Sequence, residues 1–190
     1  YSPIYLKKLR YFCDIYDIHL IADEIAMGFG RTGKMFACNH ADISPDFMCL
    51  SKGISAGYMP MSVVVTTDDI YDCFYGDYKE RKTFIHSHTY SGNAMGCAIA
   101  LENLKIFEED NIIKNNVEKG ELIKKLTLKK AETLKHVGEV RSIGMITAIE
   151  IVKNRETKES YPFEMRVGYE IYKIALKKGL VPHAGDDTSC

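Results

Sequence analysis

The sequence lacks an excess of charge of either sign. Its 190 residues include 25 Lys and Arg against 26 Asp and Glu, which gives a formal net charge of −1. Proteins that bind a phosphate backbone or an anionic membrane by electrostatic attraction carry a surplus of basic residues. The one dense basic stretch, residues 124–130, has helical spacing and is expected to be a solvated helix face. We therefore expect neither nucleic acid nor a membrane as a partner.

Long apolar runs and targeting signals are absent as well. No apolar run approaches the roughly 18 to 20 residues that span a bilayer. The first residues, Tyr1 to Ile4, include neither an initiator Met nor a charged segment followed by an apolar one. These absences predict a cytoplasmic protein, and they predict that the sequence is part of a longer chain.

Paired cysteines are the third absence. None of the six cysteines forms a CxxC pair, which argues against the disulfide framework of a secreted protein and against a thiolate zinc site. We expect the cysteines to be small buried apolar side chains in a reducing compartment. The sequence also lacks an internal repeat and a linker rich in Pro, Gly or Ser, which argues against a modular array.

The spacing of apolar residues in the first half predicts an α/β protein. An amphipathic helix is expected over residues 3–17. Three short runs rich in apolar and β-branched residues, at 18–22, 46–50 and 62–66, are typical of the buried strands of an α/β sheet. A helix follows at 93–107, and because it is apolar around most of its circumference we expect it to be buried on several sides.

The second half predicts a smaller α+β unit. Its expected elements are a long helix at about 112–134, a strand pair over 140–151, a helix near 164–178 and the start of a strand at Leu180 and Val181. Charge density rises between the two halves. We therefore expect a larger domain over residues 1–109 and an incomplete smaller domain over residues 110–190.

A glycine-rich stretch over residues 28–34 matches two nucleotide-binding patterns. It fits GxGxxG, and it fits a P-loop except that Met35 stands where a Ser or Thr would bind magnesium. A P-loop also needs a helix that begins at its lysine, but here the chain soon reaches Ser44 and Pro45. For a dinucleotide site an acidic residue should end the next strand, whereas Asp46 begins it. Both nucleotide interpretations are therefore disfavoured.

Asp23 and Lys52 each follow a predicted buried strand. Open α/β sheets present ligand-binding groups at the carboxyl ends of their strands. A lysine held there beside Gly53, and desolvated so that its amine is neutral, is a nucleophile for a carbonyl carbon. A carboxylate can keep the nitrogen of a pyridine ring protonated. Each residue also has an ordinary alternative, because a strand-end aspartate is usually a turn residue and a lysine is usually solvated.

Several motifs resemble those of the class III, fold-type I aminotransferases, which depend on pyridoxal 5′-phosphate. They are residues 23–33 (DEIAMGFGRTG), 36–40 (FACNH), 44–46 (SPD), 51–53 (SKG), 57–60 (GYMP) and 86–93 (HSHTYSGN). The resemblance extends over almost the whole sequence. It implies an α/β fold in which these residues supply part of the large-domain sheet with its helices, and an incomplete small α+β domain at the C-terminal side.

The resemblance implies roles for four residues. Lys52 would bind pyridoxal phosphate covalently and move the proton, Asp23 would pair with the pyridine nitrogen, and Ile25 would lie under the ring. Thr89 would contact the cofactor phosphate of the neighbouring subunit, which makes the enzyme a homodimer with a shared active site. A hydroxyl beside the turn at 91–93, which opens a helix, also suits an anion. The glycine-rich stretch becomes a set of structural turns.

Within this family, the motifs look most like those of enzymes that convert 8-amino-7-oxononanoate to 7,8-diaminononanoate in biotin biosynthesis. The implied amino donor, S-adenosylmethionine or lysine, stays open. Tyr58 is a candidate for lining the substrate slot. His183 is a candidate for binding substrate, near the position at which the family places an arginine for the substrate carboxylate. An imidazole cannot make the two parallel hydrogen bonds by which a guanidinium binds a carboxylate, so the exact acceptor also stays open.

Two other interpretations remain beside this one. The sequence could belong to another class III omega-aminotransferase, or to a catalytically incompetent piece that acts as a folding or dimer partner. Residues 1–190 alone are not expected to be active, because the family's amino-terminal phosphate-binding turn and stacking aromatic are missing. His40, His86 and His88 suggest a metal trio, but no carboxylate or cysteine is placed to complete it, so we expect no metal.

Overall fold

The computed structural model describes residues 1–87 and 89–183, and it divides the chain into two compact units. The first unit is Tyr1–Asn116 and the second begins at Val117. The sequence places the boundary after residue 109, and that domain assignment stays a prediction. No helix within the described ranges has the length and apolar character needed to cross a membrane.

The first unit contains a three-stranded sheet with helices. Its elements are α1 (Pro3–Ile15), β1 (Ile21–Asp23), β2 (Phe47–Leu50), β3 (Val63–Thr66), α2 (Asp68–Asp72), α3 (Ala94–Glu109) and 3₁₀ turns at Ala37–His40, Lys52–Ile54 and Tyr78–Glu80. Each predicted helix and strand of this half overlaps an observed one. Local chemistry explains the start of α1, where the Ser2 hydroxyl accepts a hydrogen bond from the Tyr5 amide and Pro3 fills the first helical position.

The strands are ordered β1-β2-β3 in the sheet. β1 and β2 run parallel, with Asp23 opposite Cys49, and β2 and β3 run antiparallel, with Leu50 opposite Val63. Parallel neighbours end at the same edge of a sheet. The segments that follow Asp23 and Leu50 therefore leave the sheet at one edge.

Asp46 joins α1 to the starts of β1 and β2. Its Oδ2 accepts hydrogen bonds from Arg10 Nη1 at 2.7 Å and from the Leu20 amide at 2.6 Å. Desolvation of Asp46 would raise the pKa of its carboxyl group. The bonds from the Leu20 amide and the Arg10 guanidinium outweigh that effect and hold the pKa below its ordinary value. The carboxylate therefore remains charged and fixes the point from which β2 begins.

The core of the first unit combines β2, the turn after it, α3 and the glycine-rich segment. Phe29, Leu50, Ile54 and Ala100 are buried together. The partly buried side chains packed against them are Met35, Phe36, Met48, Met61, Val63 and Phe107. Complete burial of a large apolar side chain contributes about 1.5–3 kcal/mol. Because Leu50 and Ile54 flank Lys52 in sequence, this core fixes the chain on both sides of that lysine.

Much of the apolar surface of the first unit is exposed. Ile21 in β1 is 64% exposed and Val64 in β3 is 61% exposed. The helix α3 buries Ala100 but leaves Met95 and Leu101 exposed. The expectation of buried strands, and of a helix buried on several sides, is therefore wrong for these faces in the part of the chain that is described. The physical reason is that no described residue covers these faces.

The cysteines are free wherever the structure describes them, but they are not all buried. Cys13 and Cys38 are buried, whereas Cys73 and Cys97 are exposed. The expectation of uniformly buried thiols is wrong for the last two. Cys190 lies outside the described residues.

The second unit pairs a β-hairpin with helices. Its elements are α4 (Ile112–Ala131, which begins in the first unit), β4 (Val137–Ile143), β5 (Ile146–Ile151), α5 (Val167–Lys177) and a 3₁₀ turn at Phe163–Met165. β4 and β5 form the strand pair that the sequence predicts, and they run antiparallel. Val137 and Val152 are buried beside them. A Cβ atom at Gly120 of α4 would overlap the carbonyl of Gly144, so helix and hairpin turn approach closely through backbone atoms.

The predicted strand at Leu180 and Val181 is wrong. α5 ends with Gly179 in the left-handed region, at a φ of 79°. The Gly179 amide donates to the Leu176 carbonyl at 3.0 Å, and the Leu180 amide donates to the Ala175 carbonyl at 3.0 Å. These two bonds form a Schellman helix end. The Leu180 amide thus bonds to the end of the helix and does not pair with a strand.

Candidate active site

Lys52 follows β2 and begins a 3₁₀ turn. Its φ is 42°, in the left-handed region that non-glycine residues rarely adopt. The side chain is exposed and makes no hydrogen bond or ion pair with any residue in the described ranges. The expectation that this amine is desolvated is wrong within the described ranges, because the residues there leave the amine exposed to solvent. The amine is available to an incoming carbonyl compound.

Asp23 ends β1 at the same edge of the sheet. Its Oδ1 accepts a hydrogen bond from the Ile25 amide at 3.0 Å, which closes a small turn. Within the described ranges Oδ2 has no partner, and the side chain is exposed. Asp23 can therefore act as a turn residue with one oxygen and receive a donor with the other. Ile25, two residues further along the chain, is half-buried.

Glu24, between Asp23 and Ile25, has a structural role that the sequence-based interpretation missed. It is 2% exposed, and its carboxylate accepts hydrogen bonds from the Ala37 amide at 2.9 Å and the Cys38 amide at 2.8 Å. Burial, together with this carboxylate, raises the pKa of the Cys38 thiol to about 12. The only sequence signal for the burial of Glu24 is strand alternation, because a side chain next to Asp23 points to the opposite face of the sheet. Glu24 thus fixes the turn 37–40 beneath the segment that carries Asp23 and Ile25.

The glycine-rich segment forms turns that bond internally. The Gly28 amide donates to the Glu24 carbonyl at 2.8 Å, and the Gly33 amide donates to the Gly30 carbonyl at 3.1 Å. His40 Nε2 lies 3.0 Å from the Thr32 hydroxyl. In a phosphate-binding loop, successive backbone amides instead converge on the anion and are not bonded to carbonyls of the loop itself. This geometry agrees with structural turns rather than a nucleotide-binding loop.

A cavity of about 700 Å³ adjoins the residue before Lys52. It is lined by Ser51, segments 59–62 and 90–93, and residues Gly96 and Cys97 at the start of α3. The Ser51 hydroxyl donates to the Met61 carbonyl at 2.7 Å, which holds the wall of this cavity. The cavity is large enough for a small organic ligand.

The remaining predicted residues occupy several places. Thr89 is exposed just before the turn that opens α3, and Tyr58 is 82% exposed at the end of the Ser55 turn. His183 is exposed in the second unit. His88 lies outside the described residues, and the described ones include no group of three metal-ligating side chains. The roles assigned to Lys52, Asp23, Ile25, Thr89, Tyr58 and His183 stay predictions.

Comparison with protein families gives one match over nearly the whole chain. The family model described as aminotransferase class-III matches residues 1–189. The adenosylmethionine-8-amino-7-oxononanoate aminotransferase of Geobacter sulfurreducens is 50% identical over 93% of this chain, which corresponds to 39% of that protein. The chain spans about two fifths of the length of such curated relatives.

Solved structures give the same result. The chain matches the crystal structure of adenosylmethionine-8-amino-7-oxononanoate aminotransferase from Methanocaldococcus jannaschii with a TM-score of 0.89 and 41% identity, covering 97% of this chain and 43% of that one. It also matches an (S)-enantioselective omega-transaminase from Thermomicrobium roseum with a TM-score of 0.88 and 32% identity, covering 96% of this chain and 40% of that one. The predicted α/β class and the family resemblance are confirmed.

Proposed function

We propose, since the chain belongs to the class III aminotransferases, that it carries the cofactor-binding lysine of an enzyme that aminates 8-amino-7-oxononanoate to 7,8-diaminononanoate in biotin biosynthesis. The observation that carries this proposal is the placement of Asp23 and Lys52 at the ends of two parallel neighbouring strands, β1 and β2. Class III aminotransferases depend on pyridoxal phosphate. When bound, this cofactor withdraws electrons from the substrate carbon that loses its proton.

The described residues fit such a cofactor. Lys52 has an exposed primary amine with no ion-pair partner among residues 1–87 and 89–183, and such an amine can bond to an aldehyde carbon. Asp23 offers an acceptor oxygen for a protonated ring nitrogen, and the half-buried Ile25 offers an apolar surface. The cavity beside Ser51 provides room for a ligand.

Each of these side chains has a separate task in the proposed reaction. Lys52 would hold the cofactor through its amine and would move a proton between two carbon atoms. Asp23 keeps a proton on the ring nitrogen by charge stabilisation. Ile25 restricts the ring from one side. Thr89 serves the phosphate in the neighbouring subunit of a homodimer, and its exposed position ahead of α3 supports this part of the proposal.

The substrate assignment is supported by the names of the relatives. Those at 43–50% identity are adenosylmethionine-8-amino-7-oxononanoate aminotransferases. S-adenosylmethionine is accordingly the proposed donor, with lysine as the alternative. A second candidate is a broader omega-transaminase, which the similarity to solved transaminases of that kind supports. We also propose a cytoplasmic location, supported by the free cysteines of the described residues.

Borohydride trapping tests the central assignment. The protein expressed from its complete coding sequence is loaded with pyridoxal phosphate, reduced and digested, and the labelled peptide is identified by mass spectrometry. We expect the label on Lys52, its loss in Lys52→Ala, and its retention in Lys79→Ala, which changes another exposed lysine. A label on a different lysine would contradict the assignment.

A donor series tests the substrate. Formation of 7,8-diaminononanoate from 8-amino-7-oxononanoate is measured with S-adenosylmethionine, with lysine and with 4-aminobutyrate. Turnover with one of the first two donors is expected. Amination of other ketones with no formation of 7,8-diaminononanoate would favour the omega-transaminase instead.

A further inference from the structure

The backbone at Lys52 needs support from its surroundings. A left-handed φ in a non-glycine residue is unfavourable and persists where neighbouring contacts fix it. One contact comes from Gly53, where a Cβ atom would lie 2.6 Å from Phe29 Cβ. The aromatic side chain therefore packs directly on the backbone that follows the lysine.

A second contact comes from α3. Asn103, 8% exposed, donates from Nδ2 to the Gly53 carbonyl at 2.8 Å and to the Ile54 carbonyl at 3.1 Å. One side-chain amide thus directs both of its hydrogens to the two residues that follow Lys52. Ala100, one helical turn earlier, packs in the same core as Ile54. Helix packing and the amide bonds therefore hold the turn from the same side.

We propose that Asn103 is a positioning residue for Lys52. Its amide sets the backbone of the turn 52–54, and through it the direction in which the Lys52 amine meets an aldehyde. This inference rests on the proposed function, in which Lys52 Nζ attaches to the aldehyde carbon of pyridoxal phosphate with loss of one water. Asn103 touches neither substrate nor cofactor in this scheme, and its effect passes through the lysine.

A double-mutant cycle separates positioning from a general structural effect. The variants are Asn103→Leu, which keeps the size but removes the donors, Lys52→Ala, and the pair together. The protein is expressed from its complete coding sequence, and the dissociation constant of pyridoxal phosphate is measured by equilibrium dialysis. The rate of covalent attachment is measured in parallel by borohydride quenching.

With Lys52 present, we expect Asn103→Leu to weaken cofactor binding and slow attachment by about tenfold, the effect of losing a net hydrogen bond or two. In the Lys52→Ala background the same change should alter cofactor affinity by less than about twofold, because no lysine remains to be positioned. Asn115→Leu is the matched control, since Asn115 on α4 donates to the exposed Asp110 carbonyl. It should leave both quantities unchanged.

Each outcome bears on one proposal. Equal losses of affinity with and without Lys52, or no loss in either, overturn the positioning role. If the wild-type protein attaches the cofactor elsewhere than at Lys52, the proposed function fails instead. Should Asn103→Leu fail to fold, Asn103→Ser replaces it, because a short hydroxyl can bond to its own helix but cannot reach the turn.

Discussion

The two units differ in what they bury. Among the described residues, every buried polar or charged side chain lies in the first unit: Glu24, Thr32, Ser55 and Asn103. The second unit buries small and apolar residues such as Val137 and Val152, and its ion pairs are exposed. A buried polar group is costly unless it is hydrogen-bonded, so each one marks backbone whose position is fixed by specific bonds. These bonds concentrate around Lys52 and Asp23, where the direction of a side chain matters.

The largest expected effect separates Asp23 from ordinary surface carboxylates. Asp23→Asn should retain cofactor binding but lower kcat by at least about 100-fold, because an amide cannot stabilise a charged ring nitrogen. Asp72→Asn, an exposed change in α2, is the matched control and should leave kcat unchanged. Steady-state kinetics of the full-length protein and cofactor titration provide the two readouts. Near-normal turnover in Asp23→Asn would reduce Asp23 to a turn residue.

The next effect tests the buried carboxylate of the first unit, Glu24, against a partly exposed one of the second, Glu150. Glu24→Gln keeps one acceptor and turns an NH₂ group toward a backbone amide, which should cost about 2 kcal/mol. Amide hydrogen exchange at Ala37 and Cys38 should then accelerate by about 30-fold. Glu150→Gln, which changes an ion-paired residue of β5, should leave exchange in its hairpin nearly unchanged. Equal effects of the two changes would remove the distinction between the units.

The smallest expected effect concerns pH. The pKa of Asp46 is lowered, so its contribution to stability is present above the ordinary aspartate pKa and is lost as pH falls through the lower native value. The urea midpoint of Asp46→Asn should lie below that of the wild type at pH 7, and the difference should shrink below about pH 4. A constant difference across this range would contradict the assigned charge.

Salt sharpens the same comparison. In the second unit, a hydrogen bond from Arg141 lowers the pKa of Glu139, but both side chains are exposed. The Arg10–Asp46 pair is shielded, with side chains only 17% and 24% exposed. The pH-dependent difference in urea midpoint between the wild type and Glu139→Gln should therefore disappear at a lower salt concentration than the difference between the wild type and Asp46→Asn.

Local patterns predict most of the fold. Pro3 and the spacing of apolar residues after it predict α1, and the alternation through 140–151 predicts the strand pair. Leu180 and Val181 have the composition of a strand, yet the end of α5 uses the Leu180 amide. Composition cannot reveal this competition, because the outcome depends on which carbonyl group the folded chain places beside the amide.

The candidate site divides in the same way. The positions of Asp23 and Lys52 at the ends of strands could be predicted, because each follows a short apolar run of neighbouring residues. Asn103 could not, because its partners are 49 and 50 residues away in sequence. The apolar helix 93–107 indicates burial, but one amide within it gives no sign of which carbonyls it meets. The exposure of apolar side chains such as Val64 could not be predicted from composition either.

The long sequence separation between Asn103 and the turn after Lys52 has a consequence for the order of folding. The β4–β5 hairpin closes over the two residues between Ile143 and Ile146, and hairpins of this kind form within about 1–10 μs. The bonds from Asn103 must wait until some fifty residues of chain have been closed into a loop, which costs entropy. We therefore expect Lys52 to acquire its left-handed backbone late, when α3 docks. A nascent chain would display its lysine before that lysine is oriented.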